Sequence, residues 1–118
     1  MNQFNILVAS IVSSLKAGNA DSVIDASEKA IKQFGNNPAL YDYYAKGLAL
    51  KGRFQAAADA QQKAIELGGA EISRVLFLGE ILLQKGEVQT AADVFQQVIK
   101  QVDDSIPAWL GLGHCLLV

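Results

Sequence analysis

Apolar residues recur along this chain at the spacing of a helix. Between positions 38 and 51, Tyr41, Tyr44, Ala45 and Leu48 stand at offsets of 0, 3, 4 and 7. Between 72 and 85, Val75, Leu78, Gly79 and Leu82 repeat those offsets. At 3.6 residues per turn such positions share one face, so both stretches are predicted to be amphipathic helices. Gly52 and Gly86 follow at once, and glycine ends helices because it accepts a left-handed backbone. A second periodic stretch then begins. In its last copy it runs through Ala91, Ala92, Phe95, Val98, Ile99 and Val102. Apolar–polar alternation is absent, so no strand is predicted.

The pattern is itself repeated. The chain reads EKAIKQF at 28–34, QKAIELG at 62–68 and QQVIKQV at 96–102, start points 34 residues apart each time. Gly18, Gly52 and Gly86 keep the same interval, as do Ile31, Ile65 and Ile99. A period between 20 and 50 residues describes stacked supersecondary units, each too small to bury its apolar face alone. Here the unit is helix A, short turn, helix B. The predicted helices are A1 over 3–17, B1 over 20–34, A2 over 38–51, B2 over 54–67, A3 over 71–85, B3 over 88–102, and A4 from about 106 onward.

The two prolines fall where helices begin. Asn37 offers a capping side chain ahead of Pro38, whose missing N–H is harmless at the first helical position. Ser105, ahead of Pro107, is the expected cap of A4, and Gly68-Gly69 is expected to stop B2.

A helix–turn–helix unit of 34 residues resembles the tetratricopeptide repeat, whose A helix carries W-x2-L-G-x2-Y. Helix A4 matches best, with Trp109, Leu112, Gly113 and Leu116; A3 offers Val75, Leu78, Gly79 and Leu82; A2 offers Tyr41, Tyr44, Ala45 and Leu48. In the B helices the small positions are Val23, Ala57 and Ala91, then Ala30, Ala64 and Val98, while Phe54 and Phe95 take aromatic positions. Ala45, Gly79 and Gly113 are expected to let backbones approach, with larger residues filling the space beside them. The first repeat departs from the pattern, placing bulky Ile11 where a small residue is expected. Gly35, Gly69 and Asp103 replace the usual proline after helix B.

The resemblance implies an all-α fold, a right-handed α-solenoid of about seven helices. It implies one domain over 1–118, with repeats at about 4–37, 38–71 and 72–105 and a partial repeat at 106–118. It implies A helices lining a concave groove that holds a segment of another protein. The groove positions carried over from the family are Val8, Val12 and Leu15 in A1, and Asp42, Lys46 and Ala49 in A2. In A3 they are Leu76, Glu80 and Leu83, and in A4 Leu110, His114 and Leu117. Some family members grip a terminal carboxylate with Lys, Asn and Arg at these places. This set holds one such basic residue, Lys46, with Asp42 and Glu80 for company, so an apolar peptide or amphipathic helix is the expected guest.

Composition narrows the function classes. Hydrophobic residues make up 51% of the 118 and charged residues 19%, enough to bury a core. Ten Lys and Arg against twelve Asp and Glu leave a net charge of −2 with no basic run, so no nucleic-acid partner is expected. The apolar opening MNQFNILVASIVSSLKAG lacks the basic start of a signal peptide and is too short to cross a bilayer. The repeat claims it as a folded helix. Cys115 is the only cysteine, so no intrachain disulfide forms, and a cytoplasmic location is expected with the periplasm left open.

Catalytic chemistry finds little to stand on. His114 and Cys115 are the one histidine and one cysteine, short of the three or four ligands a metal needs. As helix neighbours they point about 100° apart, which does not make a nucleophile–base pair. Cys115 is expected to be a buried apolar residue and His114 a groove or surface residue. Gly111-Leu112-Gly113 lies inside a helix without a preceding strand, unlike a phosphate loop. Asp42, Glu80 and Glu87 are expected to be solvated, and Tyr41, Tyr43 and Tyr44 to pack as core, with Tyr43 the most exposed. No enzyme activity and no cofactor are expected.

The remaining expectation concerns A4, apolar on nearly every side through Trp109, Leu110, Leu112, Cys115, Leu116, Leu117 and Val118. Leaving several such side chains wet costs about 1.5–3 kcal/mol each. The chain is therefore expected to be a fragment of a longer protein, or to form a homodimer through Trp109–Val118. The functional expectation is a non-catalytic interaction scaffold. The alternatives are a leader domain of a larger transferase-like enzyme and a self-associating structural module.

Overall fold

The structure, a computed structural model, describes residues 2–117. Seven helices account for nearly all of them: α1 (Gln3–Lys16), α2 (Ala20–Phe34), α3 (Pro38–Leu50), α4 (Phe54–Gly68), α5 (Ile72–Lys85), α6 (Val88–Gln101) and α7 (Ile106–Leu117). No strand occurs among the described residues. Every predicted helix is present, with ends displaced by a residue or so. Val118, the last residue expected in A4, lies outside the described residues.

The turns after α1, α3 and α5 are built alike. Gly18, Gly52 and Gly86 all have positive φ, at 70°, 81° and 95°. The amide of the residue after each glycine reaches back to a carbonyl five residues earlier: Asn19 to Ser14, Arg53 to Leu48 and Glu87 to Leu82, all at 2.9 Å. This double-backed ending satisfies carbonyls that the helix leaves free, and it needs a residue without Cβ at the left-handed position. Helix starts are capped from the side chain at four of the seven places. Asn2 accepts from the Asn5 amide at 2.8 Å, Asn19 from Ser22 at 3.1 Å and Asn37 from Ala39 at 3.0 Å. Ser105 accepts more loosely from Ala108 at 3.4 Å, as its position before Pro107 predicts.

Contacts group the chain into two compact units, Met1–Gly69 and Ala70–Val118. In the first, α1 packs on α2, α2 on α3 and α3 on α4. Its core gathers Ile11, Val23, Ala30 and Leu40, none of them exposed, with Phe4, Leu7, Val8, Leu15, Ala26, Ile31 and Tyr43 packed around. Burial of each large aliphatic side chain here contributes about 1.5–3 kcal/mol. Ile11, too bulky for the family pattern, is thus a central core residue rather than a misfit. The rings of Phe4 and Phe34 meet edge to face at 5.2 Å and 84°, tying α1 to the far end of α2. Helices α2 and α3 approach through Gly47: a Cβ there would sit 2.7 Å from Cγ1 of Val23.

In the second unit, α5 packs on α6 and α6 on α7, and α5 also touches α7. Leu82, Ala91, Phe95 and Cys115 form its buried centre. The Phe95 ring lies close to two glycines, since a Cβ on Gly79 would meet it at 2.8 Å and one on Gly111 at 2.5 Å. Gly79 performs the close approach predicted for it. Gly113 does not: a Cβ there would meet nothing within 4 Å. The expectation for α7 was therefore off by two residues. Helix α6 presses its aromatic ring on Gly111 instead.

Candidate functional site

Four of the six predicted groove residues of the second unit converge. Glu80 and Leu83 on α5, and Leu110 and His114 on α7, line one cleft of 410 Å³, with Phe95 behind them and Gln84, Pro107 and Gly111 completing the wall. Helical spacing produces the arrangement. Positions 80, 83 and 84 lie on one face of α5, and 107, 110, 111 and 114 on one face of α7. The same rule applied to the neighbours of the groove positions would have found Gln84, Pro107 and Gly111, which the family register alone misses.

Within the cleft the side chains have different exposures. Leu110 is 60% exposed, so it stands at the rim. Glu80 and His114 are exposed as well, while Leu83 is half-buried and Phe95 almost wholly enclosed. The lining is thus aliphatic and aromatic, with one carboxylate and one imidazole at its edge. Leu76, the remaining predicted residue on α5, is half-buried and packs against the Leu82–Phe95 core, as Leu83 also does.

The predicted positions of the first unit are less concerted. Val8 is half-buried against the Ile11 core. Val12 and Asp42 are half-buried and Lys46 is exposed. The Lys46 ammonium lies 5.9 Å from the centre of the Tyr43 ring, the outer reach of a cation–π contact. Tyr43, expected to be the most exposed of its group, is half-buried like Tyr41 and Tyr44. The Tyr44 hydroxyl donates to Glu28 at 3.2 Å. Partial burial first, and the Glu28 carboxylate second, hold that hydroxyl above its usual pKa. A cleft of 200 Å³ in this unit is lined by Gln3, Leu7, Lys29, Lys32 and Gln33, none of them a predicted groove residue.

His114 and Cys115 diverge: the imidazole faces the cleft and the thiol enters the core, 5% exposed. Glu87 is paired with Lys85 at 2.7 Å. Among the described residues no group of three or more His, Cys, Asp and Glu could hold a metal ion. No helix of these residues is long and apolar enough to cross a membrane.

Paired helices of near-equal length, each packed on its successor within a unit and closed by identical glycine corners, define a helical-repeat α-solenoid. The particular repeat follows from comparison with solved structures. MamA from Desulfovibrio magneticus RS-1, residues 41 to its end, superposes with a TM-score of 0.87 over 98% of this chain and 65% of that one, at 17% identity. The first TPR of Spaghetti (RPAP3), bound to the HSP90 peptide SRMEEVD, gives 0.87 over 98% and 91%, also at 17% identity. The second TPR domain of human RPAP3, in complex with the HSP70 peptide SGPTIEEVD, gives 0.82 over 95% and 97%, at 18% identity. The chain has the tetratricopeptide-repeat fold. It spans slightly less than two thirds of the MamA chain. No protein-family model matches the sequence, and no curated protein matches it.

Proposed function

We propose that this protein is a non-catalytic interaction scaffold that holds a polypeptide segment in the α5–α7 cleft. The observation that carries the reading is the convergence of Glu80, Leu83, Leu110 and His114 on one 410 Å³ cleft with an aromatic floor. Its volume is in the range of sites that enclose small ligands or a few side chains. The two RPAP3 domains of the same fold hold peptides. An amphipathic helix, with apolar side chains at i, i+3 and i+7, suits a lining that is itself apolar along two helices. Val8, Val12, Asp42, Lys46 and Leu76, the other positions carried over from the family, do not line this cleft. The scaffold operates in the cytoplasm and takes neither nucleic acid nor cofactor.

The test is an array of amphipathic 16-residue peptides, followed by calorimetry of the binders against wild type and Leu110→Glu. Leu110 is exposed, so the substitution spares the fold while placing a charge at the cleft rim. Binding in wild type and at least a tenfold loss in the variant is the expected result. Binders indifferent to Leu110→Glu would place the contact elsewhere.

A second reading, self-association through α7, rests on its outer face. Trp109 is 52% exposed, Leu116 78% and Leu117 84%. The Trp109 ring is also fixed in position, because its Nε1–H donates to the Asp103 carbonyl at 2.8 Å. Light scattering over a concentration series decides it: a mass that doubles with concentration supports a dimer, and a constant monomer removes it.

A further inference from the structure

The charges of residues 70–118 are one-sided. Residues 70–118 hold three Lys and Arg against six Asp and Glu, whereas residues 1–69 hold seven against six. Of the three cations, Arg74 pairs with Glu71 at 3.5 Å and Lys85 with Glu87 at 2.7 Å. The third, Lys100, lies on α6, and none of the three lines the cleft. The one carboxylate that does line it, Glu80, is exposed, and among the described residues of the unit no ion pair engages it. A guest lying along Leu83, Phe95 and Leu110 therefore passes the Glu80 carboxylate and meets no Lys or Arg in the lining, where the His114 imidazole is the remaining titratable group.

From this charge pattern we infer that the cleft selects a basic amphipathic segment, one with a Lys or Arg between aliphatic side chains, and rejects acidic carboxylate-ended peptides of the SRMEEVD kind. The inference rests on the scaffold reading above and adds the chemistry of the partner. An acidic peptide would bring its carboxylates to Glu80 with no Lys or Arg beside them, and like charges across an interface oppose binding. A cation at the same place gains the attraction and leaves the apolar contacts unchanged. The effect is that of an exposed pair, so it is modest and weakened by salt.

Two synthetic helical peptides test it, identical with leucines at i, i+3 and i+7 and differing only in a central Lys or Glu, together with SRMEEVD. Affinities are measured at low salt for wild type, Glu80→Gln and Glu80→Lys. The Lys peptide is expected to bind wild type about fivefold more tightly than the Glu peptide. The preference should shrink in Glu80→Gln, reverse in Glu80→Lys, and fade in 0.5 M salt, about where screening becomes short-ranged. Equal affinities in wild type, or a tighter SRMEEVD complex, would overturn the selectivity and leave the scaffold reading intact. Silence from all three peptides would overturn both. Both exposed-site variants keep the apolar contacts, and their circular dichroism melts verify that they fold.

Discussion

The edge of the Phe95 ring lies so close to Gly111 that a Cβ on that glycine would stand 2.5 Å from Cε1 and Cζ. Real Cβ atoms do not approach a buried ring that far, and Phe95 is 1% exposed and meets Gly79 closely at the same Cε1 and Cζ atoms, so it has little room to withdraw. The ring thereby fixes how closely α6 and α7 pack, and it forms the back of the cleft.

Gly111→Ala should accordingly destabilise the protein. Alanine favours a helix over glycine by up to about 1 kcal/mol, but overpacking a core costs about 1–3 kcal/mol, and here the second effect wins. Gly113→Ala is the paired control, two residues along the same helix, where an added methyl meets nothing. Only the propensity gain remains, so it should stabilise by up to about 1 kcal/mol. Urea titrations followed by circular dichroism read both; midpoints shifting in the same direction would contradict the packing described.

Ser27 is fully buried in α2, and its hydroxyl finds no hydrogen-bond partner among the described residues. Ser27→Ala removes a polar group that burial penalises and adds helix propensity. The expected change is neutral to about 2 kcal/mol stabilising. A loss above about 1 kcal/mol in the same titration would reveal a bond to that hydroxyl.

The Lys51 ammonium sits 2.7 Å from Asp21, and through that hydrogen bond and its charge holds the Asp21 carboxyl below the usual carboxylate range. A folded-state value below the unfolded one means the stabilisation is present above the unfolded pKa and is lost as pH falls through the folded one. Both side chains are well exposed, so the effect on stability is small. The titration itself is the sharper readout. In Lys51→Met the Asp21 midpoint, followed by carboxyl carbon NMR, should rise toward that of an ordinary aspartate; an unmoved midpoint would remove Lys51 as the cause.

Burial pushes the Cys115 thiol up from its ordinary pKa, which lowers the thiolate available at neutral pH. Access is restricted as well. Ellman's reagent should label Cys115 at least about tenfold more slowly in the native protein than in 6 M urea, while equal rates would mean the α7 core opens freely.

Much of this was legible before any coordinates. The 34-residue interval locates every helix, and the glycines at 18, 52 and 86 recur as three matching corners because the left-handed turn they make is a local requirement that glycine meets best. Cys115 was legible as core because a free cysteine behaves as a small apolar side chain. Gly47 was not legible: its importance lies in Val23, 24 residues away, and no local pattern records that neighbour. Gly113 misled for a similar reason, since the contact depends on which face of α7 meets the Phe95 ring, and that face carries Gly111. The cleft residues Gln84 and Pro107 were hidden because no family register marks them, although each shares a helical face with a residue that was marked.

Sequence by itself determined the helices, their order and their corners, because periodicity, capping and glycine conformation act over one or two turns. Tertiary structure alone decided which glycine touches the Phe95 ring, which A-helix positions join into a cleft, and which of them are spent on the core. Those outcomes depend on distances between side chains far apart in the chain, fixed when the helices pack.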